Sequence, residues 1–181
     1  MSRSAGEAGA DVRVSGLERL WAGWRSSYIE GVVADPTEHP DDCLFCRLAE
    51  LPDEEALVLE RTERTFTVMN AYPYTSGHVM VAPLRHVADL ATLDPDDAAA
   101  VMHATQRACA ALQRSYHPDG LNVGVNVGRA AGAGVPGHVH VHALPRWTGD
   151  TNFMTSVAEA RVLPESLRDS WEKLRAAWPA A

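Results

Sequence analysis

Three histidines recur at every second position in the stretch GHVHVHALPRW, which spans residues 137–147. Alternate side chains of a β-strand point to the same face, so His138, His140 and His142 are expected to share one face and the apolar residues between them the other. Buried imidazoles need polar partners, which predicts a cleft, a metal ion or a polar network on that face.

Three interpretations fit this row of imidazoles. It is a chance polar stripe on an exposed face, or it is a metal site built from the strand, because His-x-His suits zinc or non-haem iron. The third interpretation is nucleophilic catalysis, since imidazole with an ordinary pKa of about 6.5 is largely neutral and nucleophilic near pH 7.

A loop rich in small residues, NVGRAAGAGVPG at 126–137, immediately precedes the histidines. Backbone N–H groups in such a loop approach and cradle phosphate oxygens. The loop lacks the G-K-[ST] of a P-loop, and a plain tight turn is the alternative interpretation. Joined to a strand of histidines, it favours an imidazole that attacks phosphorus.

Cys43 and Cys46 form a C-x-x-C pair, which points to metal binding or redox chemistry. No thioredoxin-like βαβ pattern surrounds the pair, so zinc is favoured over redox use. A structural zinc site normally has four ligands, so two more are needed elsewhere in the chain. Two reduced cysteines in a small turn are the alternative.

The elements that must position these residues follow from periodicity and capping signals. Pro95 after Asp94, followed by acidic residues, is typical of the start of a helix. The sequence predicts two strands around a turn in 57–69, a strand at 78–84, one long helix at 94–116, strands at 120–128 and 138–147, and a helix at 164–178. Neighbouring strands with one long helix between groups predict an α+β fold with a mainly antiparallel sheet.

The chain of 181 residues suits one domain with terminal arms. We expect an N-terminal arm over 1–40, with its first 16 or so residues disordered and a short amphipathic helix at 17–32. The domain itself is predicted at 41–155, followed by a C-terminal helical tail at 156–181.

Composition excludes several function classes. The net charge of −8 and scattered basic residues argue against nucleic-acid binding. The chain contains no run of about 18 apolar residues, so no membrane span is predicted. The first thirty residues lack the apolar core of a signal peptide. With only three cysteines, the chain is no disulfide scaffold, and a cytoplasmic location is expected.

The stretch GHVHVHALP resembles the His-φ-His-φ-His-φ-φ signature of the histidine triad (HIT) superfamily, where φ is apolar. VMNAYPYTSGHVMVAPLRHVADL at 68–90 resembles the family's first strand pair, and PRWTGDTNFM resembles its bacterial branch of diadenosine tetraphosphate phosphorylases or hydrolases. The resemblance covers about 43–155, and LWAGWRSSYI in the arm also fits. It implies a HIT-like fold, a homodimer and a nucleotide or dinucleoside polyphosphate substrate.

The resemblance implies specific catalytic roles. His140 would attack the α-phosphorus of a nucleotide and form a nucleotidyl-histidine that a second acceptor resolves. His142 would contact the reacting phosphate and orient the nucleophile. His78 lies where the family has a supporting histidine behind these two, although a purely structural histidine is an equal alternative.

The resemblance also implies a nucleotide-binding set: Asn70 for the ribose, Asn126 near the phosphates, and the backbone of Ala133, Gly134, Val135 and Pro136 at the α-phosphate. The chain departs from better-known branches here, because they often carry a Ser or Thr in this loop. Backbone N–H groups and histidine donors would then stabilise the transition state. Trp147 closes over a base or phosphate in one interpretation and packs into the core in the other.

Zinc-bearing HIT relatives imply the missing ligands, so that Cys43, Cys46, His86 and His138 would hold one structural zinc ion. The resemblance as a whole predicts a nucleotidyl hydrolase or transferase that cleaves at the α-phosphate of a diadenosine tetraphosphate-like molecule or a nucleotide conjugate. The alternatives are a nucleotide-binding regulatory module with little turnover and a metallohydrolase built on the histidine strand.

Overall fold

The computed structural model describes residues 43–150 and 163–179. The predicted arm at 1–40, with its helix at 17–32, lies outside the described residues, as does part of the predicted tail at 156–181. None of the helices in the described ranges is long and apolar enough to cross a lipid bilayer.

Helices and strands alternate in groups along the described chain. The helices are α1 (Leu44–Glu50), α2 (Asp53–Ala56), α3 (Pro95–Tyr116) and α4 (Leu167–Ala176). The strands are β1 (Val58–Arg61), β2 (Thr65–Met69), β3 (Val79–Pro83), β4 (Gly120–Val125) and β5 (Val141–Arg146).

The five strands form one sheet in the order β1-β2-β3-β5-β4, and every neighbouring pair is antiparallel. The α+β class with a mainly antiparallel sheet is therefore confirmed. The last strand in sequence, β5, lies between β3 and β4, so the histidine strand has a neighbour on both sides. Strand β4 forms one edge, and most of its residues are exposed.

Regular pairing of the histidine strand begins at Val141, three residues later than predicted. The backbone before it is bound elsewhere, because the N–H of Val139 donates to the carbonyl of Val87 at 2.7 Å. This bond joins the chain before β5 to the chain after β3. His138 and His140 therefore precede the regular ladder, and only His142 lies within it.

The long helix α3 covers one face of the sheet. Asp94 caps it as predicted, since its side chain accepts the N–H of Asp97 at 2.8 Å. Alanines at 104, 108 and 111 face the sheet and let the helix approach closely. From α4, Trp171 and Leu174 join the same core, so the described part of the tail packs onto the domain.

A buried carboxylate fastens the start of α3 to the sheet. Asp97 is 4% exposed and accepts hydrogen bonds from Arg64 and Arg85, each at 2.9 Å. The bonds from Arg85 and then Arg64 lower the pKa of the Asp97 carboxyl below its ordinary value. Arg64 lies in the β1–β2 turn and Arg85 follows β3, so one residue ties three segments together.

Helix α1 covers the opposite face over β2 and β3. Phe45 packs there with Phe66, Val68 and Met80 in a second apolar cluster. The sequence did not predict α1 or α2, which are 7 and 4 residues long and too short to show a helical period. Beyond β5, along β4, the described part of the chain leaves a cavity beside the sheet.

Candidate active site and metal centre

The three triad histidines differ in how far they are buried. His138 and His140 are 1% and 3% exposed, whereas His142 is only partly buried. The rings of His140 and His142 lie with centroids 4.9 Å apart, and the ring of Phe45 lies 4.6 Å from that of His140. Phe45 therefore covers the row on one side and leaves its His142 end accessible.

A backbone carbonyl fixes the tautomer of His140. Its Nδ1 lies 2.8 Å from the carbonyl oxygen of His138, so Nδ1 carries the proton and donates it. The Nε2 atom then keeps its lone pair, which is the nucleophilic form of the ring. Burial also lowers the pKa of His140, which favours the neutral ring.

A chain of hydrogen bonds fixes the proton on His142 as well. The N–H of Tyr74 donates to Nδ1 of the fully buried His78 at 3.1 Å, so Nε2 of His78 carries the proton. That Nε2 lies 3.0 Å from Nδ1 of His142 and donates to it. His142 is then left with a proton on Nε2, which makes it a hydrogen-bond donor for an anionic ligand.

The pKa of His142 falls to about 4, first because the ring is partly desolvated and then because His140 is close. His142 is therefore a neutral donor at physiological pH. The pKa values of the His140 and His142 imidazoles are both lowered, which favours the uncharged form of both rings.

Asn70 lies against the supporting histidine. Its Oδ1 accepts the N–H of Tyr72 at 2.9 Å, which leaves its amide to face Nδ1 of His78 at 3.3 Å. The structure thus brings the predicted Asn70 and His78 together with His142. Gly77, just before His78, has a φ of +81°, and a Cβ there would lie 2.6 Å from the Tyr116 ring, so only glycine fits.

The glycine-rich loop folds over the start of the histidine row. Gly132 has a φ of +89° and ends a 3₁₀ turn at Arg129–Ala131. Ala133 is buried, and Val135 packs against the cluster under α1. Asn126 directly follows β4, whose last residue Val125 pairs with Val141, and it lines the same cavity as His142.

Four side chains converge beside the triad. The ligand atoms of Cys43, Cys46, His86 and His138 all lie within 4.8 Å of one another. Nδ1 of His138 is 3.3 Å from Sγ of Cys43, and Nδ1 of His86 is 3.4 Å from Sγ of Cys46. Tetrahedral zinc with Zn–S of about 2.3 Å and Zn–N of about 2.0 Å has S···N separations of about 3.5 Å, so the set fits that ion.

The hydrogen bond of His138 suits it to bind a metal ion through Nδ1. Its Nε2 donates to the carbonyl of Pro83 at 2.9 Å, which leaves the lone pair on Nδ1 toward the two thiols. The backbone bond between Val139 and Val87 holds His86 close to His138. Sequence spacing alone does not reveal this proximity, because the two histidines are 52 positions apart and are brought together by the pairing of β3 with β5 and by the Val139–Val87 bond.

Trp147 lies at the other end of β5, away from the four converging side chains. It is partly buried and its ring meets that of Tyr116 edge-on, with centroids 6.0 Å apart. It lines a cavity that also reaches His142 and Asn126. The rings of Phe45 and Tyr74 also contact the triad histidines. The sequence did not predict these contacts, because they depend on how α1 and the β2–β3 loop pack against the sheet.

The class of the protein follows from this fold and site. The HIT domain family matches residues 52–149, and the chain belongs to that family. The chain is 39% identical over 165 residues to the AP-4-A phosphorylase of Mycobacterium tuberculosis, covering 90% of this chain and 85% of that protein.

Solved structures agree on the fold. A zinc-bound histidine triad family protein from Mycobacterium smegmatis superposes with a TM-score of 0.63 at 30% identity, covering 77% of this chain and 94% of that one. A hypothetical histidine triad nucleotide-binding protein from Sulfolobus tokodaii gives a TM-score of 0.61 at 26% identity, covering 75% and 91%. The HIT-like fold is thereby confirmed.

Proposed function

We propose that this protein is a nucleotidyl hydrolase or transferase that cleaves dinucleoside polyphosphates of the diadenosine tetraphosphate type at an α-phosphate. The hydrogen bonding of His140 is the main support for this function: its Nδ1 donates to the His138 carbonyl, and its Nε2 keeps its lone pair beside the donor His142. The similarity to a mycobacterial AP-4-A phosphorylase supports the same substrate class.

The reaction takes two displacements at phosphorus. In the first, Nε2 of His140 forms a bond to the α-phosphorus while the bond from that phosphorus to the bridging oxygen breaks, and the remaining nucleoside polyphosphate leaves with the electron pair. In the second, water or inorganic phosphate forms a bond to the same phosphorus and the bond to Nε2 breaks. A nucleoside mono- or diphosphate is released and His140 is restored.

His142 stabilises charge in both steps. Its Nε2–H is held outward by the Tyr74–His78 chain, so it donates to a phosphate oxygen without reorganising first. In the loop of Ala133, Gly134, Val135 and Pro136, the N–H groups of Gly134 and Val135 would donate to the other oxygens, because Pro136 has no N–H and the N–H of Ala133 donates to the carbonyl of Gly128. Asn126 lines the same cavity as His142. Asn70 would hold the ribose of the nucleotide that becomes attached to His140.

Zinc is the ion that the four converging side chains suit best. Two thiols and two imidazole Nδ1 atoms are a common structural donor set, and full occupation by protein ligands leaves no position for substrate. When bound, the ion would supply a cross-link between α1 and the histidine row. Cys43 and Cys46 would act as thiolates there, which suits a reducing cytoplasm.

This donor set also weakens the metallohydrolase alternative. His138 faces the cysteines, while Nδ1 of His140 is bound to a carbonyl and Nδ1 of His142 accepts from His78. The triad therefore does not converge on one ion. A binding module with little turnover would not need the specific tautomers that hydrogen bonds impose on His140 and His142.

The homodimer that the resemblance implies has a suitable surface on β4. This strand forms an edge of the sheet, and Val123 on it is 50% exposed. An exposed apolar edge strand is a ready template for pairing with another chain. We assign β4 as the dimer contact.

The experiment that tests the function follows the stereochemistry at phosphorus. Two in-line displacements retain configuration at a chiral α-phosphorothioate labelled with oxygen isotopes, whereas direct attack by metal-bound water inverts it. We expect retention, with label trapped by acid-free quenching on a peptide that contains residues 137–146. Inversion, or a label that still appears in His140→Ala, would contradict the proposal.

A further inference from the structure

The loop between β2 and β3 forms a compact unit around the ring of His78. The N–H of Tyr74 donates to Nδ1 of His78 at 3.1 Å. The N–H of His78 donates to the carbonyl of Thr75 at 3.2 Å and closes a turn. Gly77, the third residue of that turn, has a φ of +81°, as a type II turn requires. These bonds fix the orientation of the His78 ring and the nitrogen that carries its proton.

One side chain of this unit reaches the strand that contains the triad residue His142. The hydroxyl of Thr75 donates to the carbonyl of Pro145 on β5 at 3.1 Å. Thr75 is partly buried, and its bond joins residues that are 70 positions apart in the chain. The hydroxyl thus connects the loop that orients His78 to the strand that holds His142.

The sequence explains why a side chain makes this connection. The ladder between β3 and β5 has Val79 opposite Ala143. Two residues further along, Gly77 would lie opposite Pro145, but proline has no N–H and cannot complete a regular antiparallel pair. Gly77 lies instead in the turn before β3. The carbonyl of Pro145 therefore accepts from the hydroxyl of Thr75 in place of a ladder N–H.

The direction of the His78 ring depends on the loop more than on the sheet. His78 directly precedes β3, so the sheet holds its backbone. The N–H that meets its Nδ1 comes from Tyr74, the residue next to Thr75. Hydrogen bonds weaken when the two heavy atoms move beyond about 3.2 Å. Because the Tyr74 bond is 3.1 Å long, a small movement of the loop away from β5 would weaken it.

We propose that Thr75 is a positioning residue for His142, and that its bond to Pro145 keeps the Tyr74–His78–His142 chain in one direction. The inference rests on the proposed function, in which Nε2–H of His142 donates to a phosphate oxygen. Without the Thr75 bond, the N–H of Tyr74 no longer holds the proton of His78 on Nε2. The chain then reverses in part of the molecules: His142 donates from Nδ1 to His78 and presents a lone pair to the anionic phosphate.

Other contacts keep the loop folded when the hydroxyl is removed. Gly77 lies close against the ring of Tyr116 on α3. The N–H of Asn70 donates to the carbonyl of His78 at 2.9 Å. Thr75→Val keeps the branched shape of the side chain and removes the hydroxyl, so it tests the hydrogen bond and not the packing.

The test compares this variant with two others in the full chain. Thr75→Ser keeps the hydroxyl and loses only a methyl group. Thr92→Val is the matched control, because the hydroxyl of Thr92 also donates to a backbone carbonyl, that of Asp89 at 2.8 Å, in the short 3₁₀ turn between β3 and α3. Thr75→Ala removes the hydroxyl without adding a methyl group and replaces Thr75→Val if the valine variant does not fold.

Steady-state kinetics on a dinucleoside tetraphosphate is the first measurement. We expect Thr75→Val to lower kcat at least ~5-fold while KM changes less than ~2-fold, because the donor at His142 acts on charge that develops in the transition state. Thr75→Ser should keep at least about half of the wild-type kcat, and Thr92→Val should match the wild type.

Nitrogen NMR of protein with isotope-labelled histidine is the second measurement, and it does not depend on activity. A protonated ring nitrogen and one with a lone pair differ in chemical shift, so the tautomers of His78 and His142 are read directly. We expect the proton on Nε2 of both rings in the wild type, Thr75→Ser and Thr92→Val. Thr75→Val should show a mixture with the proton on Nδ1.

Unchanged tautomers in Thr75→Val would overturn the positioning role whatever its kcat, and so would a Thr75→Ser variant that behaves like Thr75→Val. Either result leaves the proposed function standing. A wild-type protein that cleaves no dinucleoside tetraphosphate would overturn the proposed function, and with it the catalytic use of this hydrogen-bond chain. The two measurements separate these failures.

Discussion

His140 and His142 are two residues apart, yet their hydrogen bonds assign them different tasks. A carbonyl takes the proton of His140 at Nδ1 and leaves a nucleophilic Nε2, while His78 donates to Nδ1 of His142 and leaves a donor at Nε2. Exchanging these partners would exchange the roles. The tautomer of each histidine, and with it the role that we propose for that residue, thus depends on its neighbours as much as on its place in the sequence.

The role proposed for His140 is tested most directly by removing its side chain. His140→Ala should lose at least ~10³ in kcat, about 4 kcal/mol of transition-state stabilisation, because binding alone remains. His103→Ala, which alters an exposed histidine on α3, is the matched control and should keep wild-type kcat. Steady-state kinetics at saturating substrate measures both, and more than about a tenth of the activity left in His140→Ala would refute the assignment.

The common face of the triad and the cluster of Cys43, Cys46, His86 and His138 were predicted from the sequence for different reasons. Strict alternation placed His138, His140 and His142 on one face, and the partnership of His86 with the cysteines came only from family resemblance. The Tyr74–His78–His142 chain and the contact of Phe45 with the histidine rings were not predictable, because they depend on how the β2–β3 loop and α1 fold back onto the sheet.

At the scale of elements, α1 carries part of the site although its sequence shows no helical period. Cys43 precedes the helix, Phe45 packs against the histidine rings, and Cys46 reaches His86 from its first turn. Seven residues are marginal as an isolated helix, so tertiary contacts must hold it. By contrast α3 was predictable to the residue at its start, because Asp94 and Pro95 are local signals.

Zinc is expected to supply much of the stability of α1. We predict about one zinc per chain in gently purified protein, and its loss when both Cys43 and Cys46 are changed to Ser. The double variant should lose more in Tm than in the rate of the chemical step, because the ion holds the element and does not touch the substrate.

Elemental analysis and thermal unfolding check this prediction. Cys109→Ser is the control, since Cys109 lies on α3, which packs on the opposite face of the sheet from α1. It should keep both the metal and the Tm within a few degrees. Gently purified wild-type protein without metal would refute the zinc assignment.

The two faces of the sheet differ in what packs against them. One face is sealed by α3 and α4 over a continuous apolar core. The other is covered by α1 over β2 and β3, and among the described residues it bears the cavity beside His142 along β4 and β5. The strand order β1-β2-β3-β5-β4 makes this possible, because it puts β5 between the covered half and the open edge.

Strand β4, at the edge of the sheet, is the proposed dimer contact. If two chains pair through β4, a charge in the middle of that strand should separate them, because a buried like charge from each copy would meet across the contact. Val123→Lys is therefore expected to shift sedimentation from a dimer to a monomer.

Leu90→Lys is the control: Leu90 is 46% exposed, close to the 50% of Val123, but lies in the short 3₁₀ turn between β3 and α3. It should leave the dimer intact. A wild-type protein that sediments as a monomer at micromolar concentration would refute the dimer, and a Val123→Lys variant that stays dimeric would place the contact elsewhere. Because β4 also borders the cavity beside His142, the separated chains should lose affinity for the dinucleoside substrate if the pairing supports that wall.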